Sequence, residues 1–219
     1  MSTLCHYRNL VIHQISHQHR VEEQCVMYLR VLSDKASDLA LGRSLDAAVL
    51  SARQRINILQ SLLSSMNASA DTGSAVGING ILREGFQQLA HEPDTMVRDV
   101  AQRSVAQRNA VQRNAVQRNA VQRNAVQRDS LILQTIISSY HYKLGYYRMI
   151  LRYFQALDWE FETYVMQTLL ADFEIELQQW LDQLTSEADD VLTMPTTQNY
   201  SAVSSIATDR HATEHHAYV

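Results

Sequence analysis

Residues 130–157 read SLILQTIISSYHYKLGYYRMILRYFQAL. Ile132, Ile136, Tyr147, Ile150, Leu151, Phe154 and Leu157 recur there at three- and four-residue spacing, which predicts a long helix with one apolar stripe. In the middle of that stripe, where the next core residue is due, stands Lys143, with Tyr140 one turn before it. An ammonium at a core position must find a partner or leave the core. The search for other helices is therefore also a search for that partner.

Three further segments carry a comparable stripe. Between about Leu10 and Ser37, after a short lead-in (1–9), Ile15, His19, Glu22, Val26 and Leu29 share one face. From Asp38, a plausible N-cap, to Met66, the stripe is Leu41, Leu45, Ala48, Ala52, Arg55, Leu59, Leu62 and Met66, and Arg55 is its one charge. From Trp159 to Glu187, Val165, Leu169, Phe173, Glu176 and Trp180 fall on one face, with Asp172 at its edge. Residues 67–80, NASADTGSAVGING, read as a loop, and 81–90 as a short helix followed by a turn at 91–94. Four long striped helices predict an antiparallel four-helix bundle spanning 10–190. A polar tail, 191–219, is expected to be disordered.

Composition agrees with an all-α chain, because only six Gly and two Pro interrupt 219 residues rich in helix formers. A net charge of −4 suggests no obligatory polyanionic partner. Cys5 and Cys25 are too few for a disulfide framework and lack zinc-finger spacing. There is no signal peptide and no apolar run long enough for a bilayer, so the expected location is the cytoplasm, with no membrane contact. P-loop, G-x-G-x-x-G and Ser-His-Asp patterns are absent.

Within the repeat segment 101–128, after AQRSVAQRN (101–109), the unit A-V-Q-R-N repeats almost without error through Arg128. Five residues advance about 500° around a helix, a net of about 140°, so successive Val side chains visit every side and cannot build a core. A solvated helical extension leading into the core helix at Asp129 is expected, inserted into the bundle, with partial disorder as the alternative. Its side chains Arg103, Arg108, Arg113, Arg118, Arg123 and Arg128 could hold an anion. The period spreads them around the helix, however, and no aromatic residue is interleaved for base stacking, so nucleic acid is not the expected partner. Of the histidines, His13 and His17 share a face, His6 is placed before the helix, and His211, His215 and His216 lie in the tail. The tyrosines at 140, 142, 146, 147 and 153 read as packing and contact residues.

Several segments resemble bacterial ferritin-like stress proteins of the YciE/YciF type. They are VEEQ (21–24), GINGILREG (77–85), EPDTMVRD (92–99), DSLILQTIISSYHYKLGYY (129–147) and TLLADFEIE (168–176), in the family's order. The resemblance implies a ferritin-like four-helix bundle, a homodimer, a di-iron or related site and a role in stress responses. Carried over, Glu22 matches the first-helix carboxylate, and Asp172 and Glu176 the acidic pair of the last helix. Ser51 stands where the second helix should supply Glu, Arg55 where it should supply Gln or His, and Tyr140 and Lys143 replace the two Glu that flank His141 and Tyr142. Three carboxylates are left and two cations gained. A buried ion-pair cluster without cofactor is therefore the expected occupant of the ancestral metal position, in a non-catalytic structural or binding protein. An iron- or manganese-binding oxidase using Glu22, Asp172, Glu176 and His141 is the alternative, and anion binding through the repeat a third.

Overall fold

A computed structural model describes residues 2–70, 75–90 and 110–193, with side chains for 6–70, 75–90 and 124–186. Five helices follow one another: α1 (Ser2–Lys35), α2 (Leu39–Ser65), α3 (Val76–Ala90), α4 (Ala110–Ala156) and α5 (Glu160–Thr193). Residues up to Glu187 form one compact unit; of the second, only the end of α5 is described. Among the described residues, no helix is long and apolar enough to cross a membrane.

Local chemistry sets the helix ends. Asp38 sits in extended conformation and its carboxylate accepts from the amides of Ala40 and Leu41, capping α2. The same turn is clasped from outside: the buried Asp129 on α4 accepts from Ser37 N at 2.7 Å and Asp38 N at 2.9 Å. Helices α2 and α4 both stop on a left-handed residue, Asn67 (φ 50°) and Asp158 (φ 54°). In each, the next amide reaches five residues back, Ala68 to Leu63 O and Trp159 to Phe154 O. Asn and Asp tolerate that conformation better than other side chains with a Cβ.

The pairing of residues gives the topology. Ser33–Asp46 and Arg8–Met66 set α1 against α2; Ser37–Asp129 and Glu22–Lys143 set α1 against α4. Arg55–Glu176 and Ser65–Glu162 set α2 against α5, and Tyr140–Trp180 and Arg148–Glu174 set α4 against α5. In each adjacent pair the numbers run in opposite directions, so neighbours are antiparallel while the diagonal helices α2 and α4 are parallel. One long crossover must return the chain from the end of α2 to the start of the α4 core, which is the ferritin-like arrangement of an all-α bundle. Helix α3 lies along that path: Gly77 meets Tyr142 and Gly85 meets Thr135, so it runs antiparallel to α4. Because Asp129 is level with the α1–α2 turn, the part of α4 before it projects past that turn, by about 28 Å if straight.

Two boundaries differ from expectation. Helix α1 starts at Ser2, not near Leu10; no Gly or Pro interrupts 2–9, and Arg8 is fastened to the Met66 carbonyl at the end of α2. Helix α3 starts at Val76, inside the expected loop. Its apolar residues Ile78 and Leu82 pack with Val21, Cys25 and Ala75 in a small cluster against α1, and that burial overrides the low propensity of Gly77 and Gly80. The turn expected at 91–94 and the tail from 194 lie outside the described residues.

The close approach of α3 to α4 gives a test. A Cβ added at Gly85 would overlap Thr135, including its Cβ, which no rotamer can move, while Thr135 Oγ1 is held by the Leu131 carbonyl at 2.8 Å. At Gly145 an added Cβ meets nothing within 4 Å. Alanine gains about 0.5–1 kcal/mol over Gly in a helix, and forcing a methyl into a packed contact costs about 1–3 kcal/mol. Gly85→Ala is therefore expected to destabilise and Gly145→Ala to stabilise, as read by urea midpoints. Equal shifts of the same sign would refute the packing account.

Candidate functional site: a buried ion-pair layer

The main core is lined by leucines, isoleucines and aromatic side chains from α1, α2, α4 and α5. In its middle, each of those helices contributes one charge. Glu22 and Lys143 are both 0% exposed, and Arg55 is buried. Glu22 is the hub. Its Oε1 accepts from the Tyr147 hydroxyl at 2.7 Å and lies 3.2 Å from Arg55 Nε. Its Oε2 accepts from Lys143 Nζ at 3.3 Å. The Arg55 Nε contact is an ion pair and not a hydrogen bond, and among the described residues Nη2 has no hydrogen-bond partner. Arg55 Nη1 instead donates to both oxygens of Glu176, at 3.0 and 2.8 Å, and Tyr140 Oη donates to Glu176 Oε2 at 2.8 Å.

Aromatic faces complete the surroundings of both cations. Lys143 Nζ lies 4.3 Å from the Tyr140 ring centre and 5.1 Å from that of Phe173; Arg55 Cζ is 5.1 Å from Phe173. Tyr140 and Phe173 stack at 4.6 Å. The negative faces of those rings attract cations where water is excluded. Burial alone would push the Glu22 carboxyl up, but the Arg55 and Lys143 charges and the Tyr147 and Lys143 hydrogen bonds outweigh it and hold it below the usual range. Burial would likewise pull Arg55 down, and Glu22 more than reverses this, so its guanidinium stays charged. Tyr147 and Tyr140 are both pushed upward, first by burial and then by the carboxylates they face. Two carboxylates and two cations leave the layer electrically neutral.

Of the residues singled out from the sequence, Glu22, Arg55, Tyr140, Lys143 and Glu176 converge. Asp172 does not; it is exposed. Glu176 already lies at the edge of the buried face of α5, with 23% of its side chain exposed, and Asp172 is rotated about 40° further toward solvent. His141 is exposed, one residue past the inward Tyr140 and so turned about 100° away. Ser51 is half-buried and lines a 160 Å³ cavity with Glu176 and Trp180 between α2 and α5. His19 turns to Glu23, 3.6 Å away, and not to the hub. Arg103 and Arg108 lie outside the described residues; Arg113, Arg118 and Arg123 fall on α4, but their side chains are not described. Arg128 lies 3.4 Å from Ser37 Oγ.

Tyr147 is the member that stripe reading filed only as core. The available signal was its place one turn after Lys143 on the same face. Gln18, fully buried one turn before Glu22, neighbours the Tyr147 hydroxyl without closing a hydrogen bond of normal geometry. The donor set does not suit a pair of divalent ions, which need several free anionic ligands. Here both oxygens of Glu22 are within ion-pair reach of side-chain cations, and among the described residues no three His, Cys, Asp or Glu side chains gather.

No family model matches this chain, and no curated protein does. Solved structures match its fold. The Escherichia coli stress protein YciF aligns with a TM-score of 0.64 and 14% identity over 86% of this chain and 99% of its own. YcfI from Rhodopseudomonas palustris aligns with a TM-score of 0.61 and 13% identity over 80% of this chain and 92% of its own. At such identities the likeness is one of fold.

Proposed function

We propose that this YciF-like bundle is a non-catalytic structural or binding protein, associated with stress as YciF is, whose central layer is closed by its own cations. The observation that carries this reading is the engagement of Glu22. One oxygen faces Arg55 and the other Lys143, both on rigid helices and shielded by Tyr140 and Phe173. In ferritin-like bundles the same layer holds metal ions between inward carboxylates. Here an ammonium and a guanidinium supply the positive charge, and no net negative charge is left to attract a divalent ion.

The pairing is not proposed as a large source of stability, because desolvating four charges offsets most of their attraction. Its consequence is that the folded chain needs no cofactor. The test is elemental analysis of untagged protein grown with added iron and manganese, alongside melting with and without a chelator. Far less than one iron or manganese per chain and an unchanged melting temperature are expected. Near-stoichiometric metal that survives desalting, with a melting temperature lowered by chelation, would overturn the reading in favour of an oxidase or iron-handling protein.

A further inference from the structure

On the α1 face turned toward α4, away from the ion-pair layer, His13 and His17 lie one helical turn apart and line a groove of about 390 Å³. Tyr142, Tyr146, Gly145 and Met149 of α4 form the other wall. We propose that His13 and His17 clamp a divalent late-transition-metal ion, copper(II) or zinc(II), in this groove.

Helical residues four apart project from one face about 5–6 Å apart at Cβ, which is why paired histidines at this spacing hold zinc in H-E-x-x-H helices. His17 is oriented before any ion arrives. Its ring stacks on Tyr146 at 4.7 Å and 24° and lines the groove, and among the described residues its buried Nδ1 has no hydrogen-bond partner. His13 is exposed and can turn to share the ion.

The chemistry of the lining selects the class of ion. Imidazole nitrogen suits copper, zinc and nickel, while calcium and magnesium need oxygen anions, and no carboxylate lines the groove. Copper(II) stands first in affinity at such sites. Because no third His, Cys, Asp or Glu joins the pair among the described residues, the ion keeps exchangeable waters. Gly145 keeps the floor open, since a Cβ there would meet nothing within 4 Å.

The test uses the full chain with His211, His215 and His216 replaced by Asn, so that the tail cannot compete. Titration with copper(II), read by calorimetry and by electron paramagnetic resonance, is expected to show one ion per chain with two nitrogen donors. His13→Asn and His17→Asn should each weaken binding by about 10-fold or more, at least what losing a ligand's outer-shell partner costs, and remove one nitrogen from the spectrum. His6→Asn should change neither. Gly145→Phe, which leaves both imidazoles in place but fills the groove, should weaken binding too. His13 is exposed, so its variant tests the site without disturbing the core. Unchanged affinity and donor count in His13→Asn would overturn the proposal. Failure here leaves the ion-pair layer untouched, and iron or manganese retained in the His13→Asn chain would count against that layer alone.

Discussion

Glu22→Gln is expected to remove about 3–5 kcal/mol of folding free energy, the largest loss from any single conservative change in this chain. The reason is the ammonium it strands. Lys143 is 0% exposed and donates to Glu22 Oε2, beside the weakly accepting Cys25 sulfur; that sulfur and aromatic faces at 4.3 and 5.1 Å supply only part of what an ion loses on leaving water. Arg55 would keep Glu176, so the damage falls on Lys143 first. Glu176→Gln should cost less, because Glu176 is partly exposed and water can take up the slack. Lys143→Met in the Glu22→Gln background should recover a large part of the loss, since it removes the stranded charge and leaves an apolar chain of similar length. Urea unfolding of wild type, Glu22→Gln, Lys143→Met and the double variant completes the cycle. A loss below about 1 kcal/mol in Glu22→Gln, or no recovery in the double variant, would mean that Lys143 reaches water by a route the structure does not show.

The same carboxylate gives an acid limb with a definite sign. Its folded-state pKa is depressed, so its contribution is present above the ordinary carboxylate value near 4.5 and is lost as pH falls through the lower, folded value. Wild-type stability should therefore fall in that window, and Glu22→Gln should be flatter there.

What could be read from sequence was the part that periodicity governs. The α2 stripe Leu41, Leu45, Ala48, Ala52, Arg55, Leu59, Leu62 and Met66 is buried throughout, and a charge at each stripe's centre follows from counting turns. Positions at the edge of a stripe were not legible, because a neighbouring helix decides whether an edge is covered. Glu176 is reached by Arg55 from α2, whereas Asp172, a little further round, is exposed. Tyr147 was legible as core but not as a donor, since that role depends on where Glu22 arrives from α1. The start of α3 was hidden for a related reason. Gly77 and Gly80 carry the local signal of a loop, yet Gly77 lies so near Tyr142 that a Cβ would clash, and tertiary contact outweighs propensity.

Raising the pH above about 10 should unfold the chain over a narrow range, and the cause lies in three buried acids that are not the carboxylates. Tyr147 and Tyr140 are pushed up from their ordinary value of 10, and burial pushes the Cys25 thiol from 9 up to about 11. A group whose folded pKa is raised contributes stability that is whole below its unfolded pKa and is lost as pH rises toward the folded one. Between those values the unfolded chain has released a proton that the folded chain still holds. Each such group tilts stability by up to about 1.4 kcal/mol per pH unit; between pH 10 and 11 the tyrosines are part-ionised in the unfolded chain and Cys25 begins to ionise in the folded one, so the three together give about 3 kcal/mol per unit. Domains of this kind hold about 5–15 kcal/mol in all, and one or two pH units then remove much of it. Arg55 cannot soften the limb by giving up its own proton, because Glu22 keeps it charged. Tyr140→Phe should flatten the slope by up to about 1.4 kcal/mol per unit while leaving Glu22 with both its cations. The check is a urea series from pH 8 to 11.5 on wild type and Tyr140→Phe; parallel curves would show that the Tyr140 hydroxyl ionises in place, and that the layer around it is wetter than its packing implies.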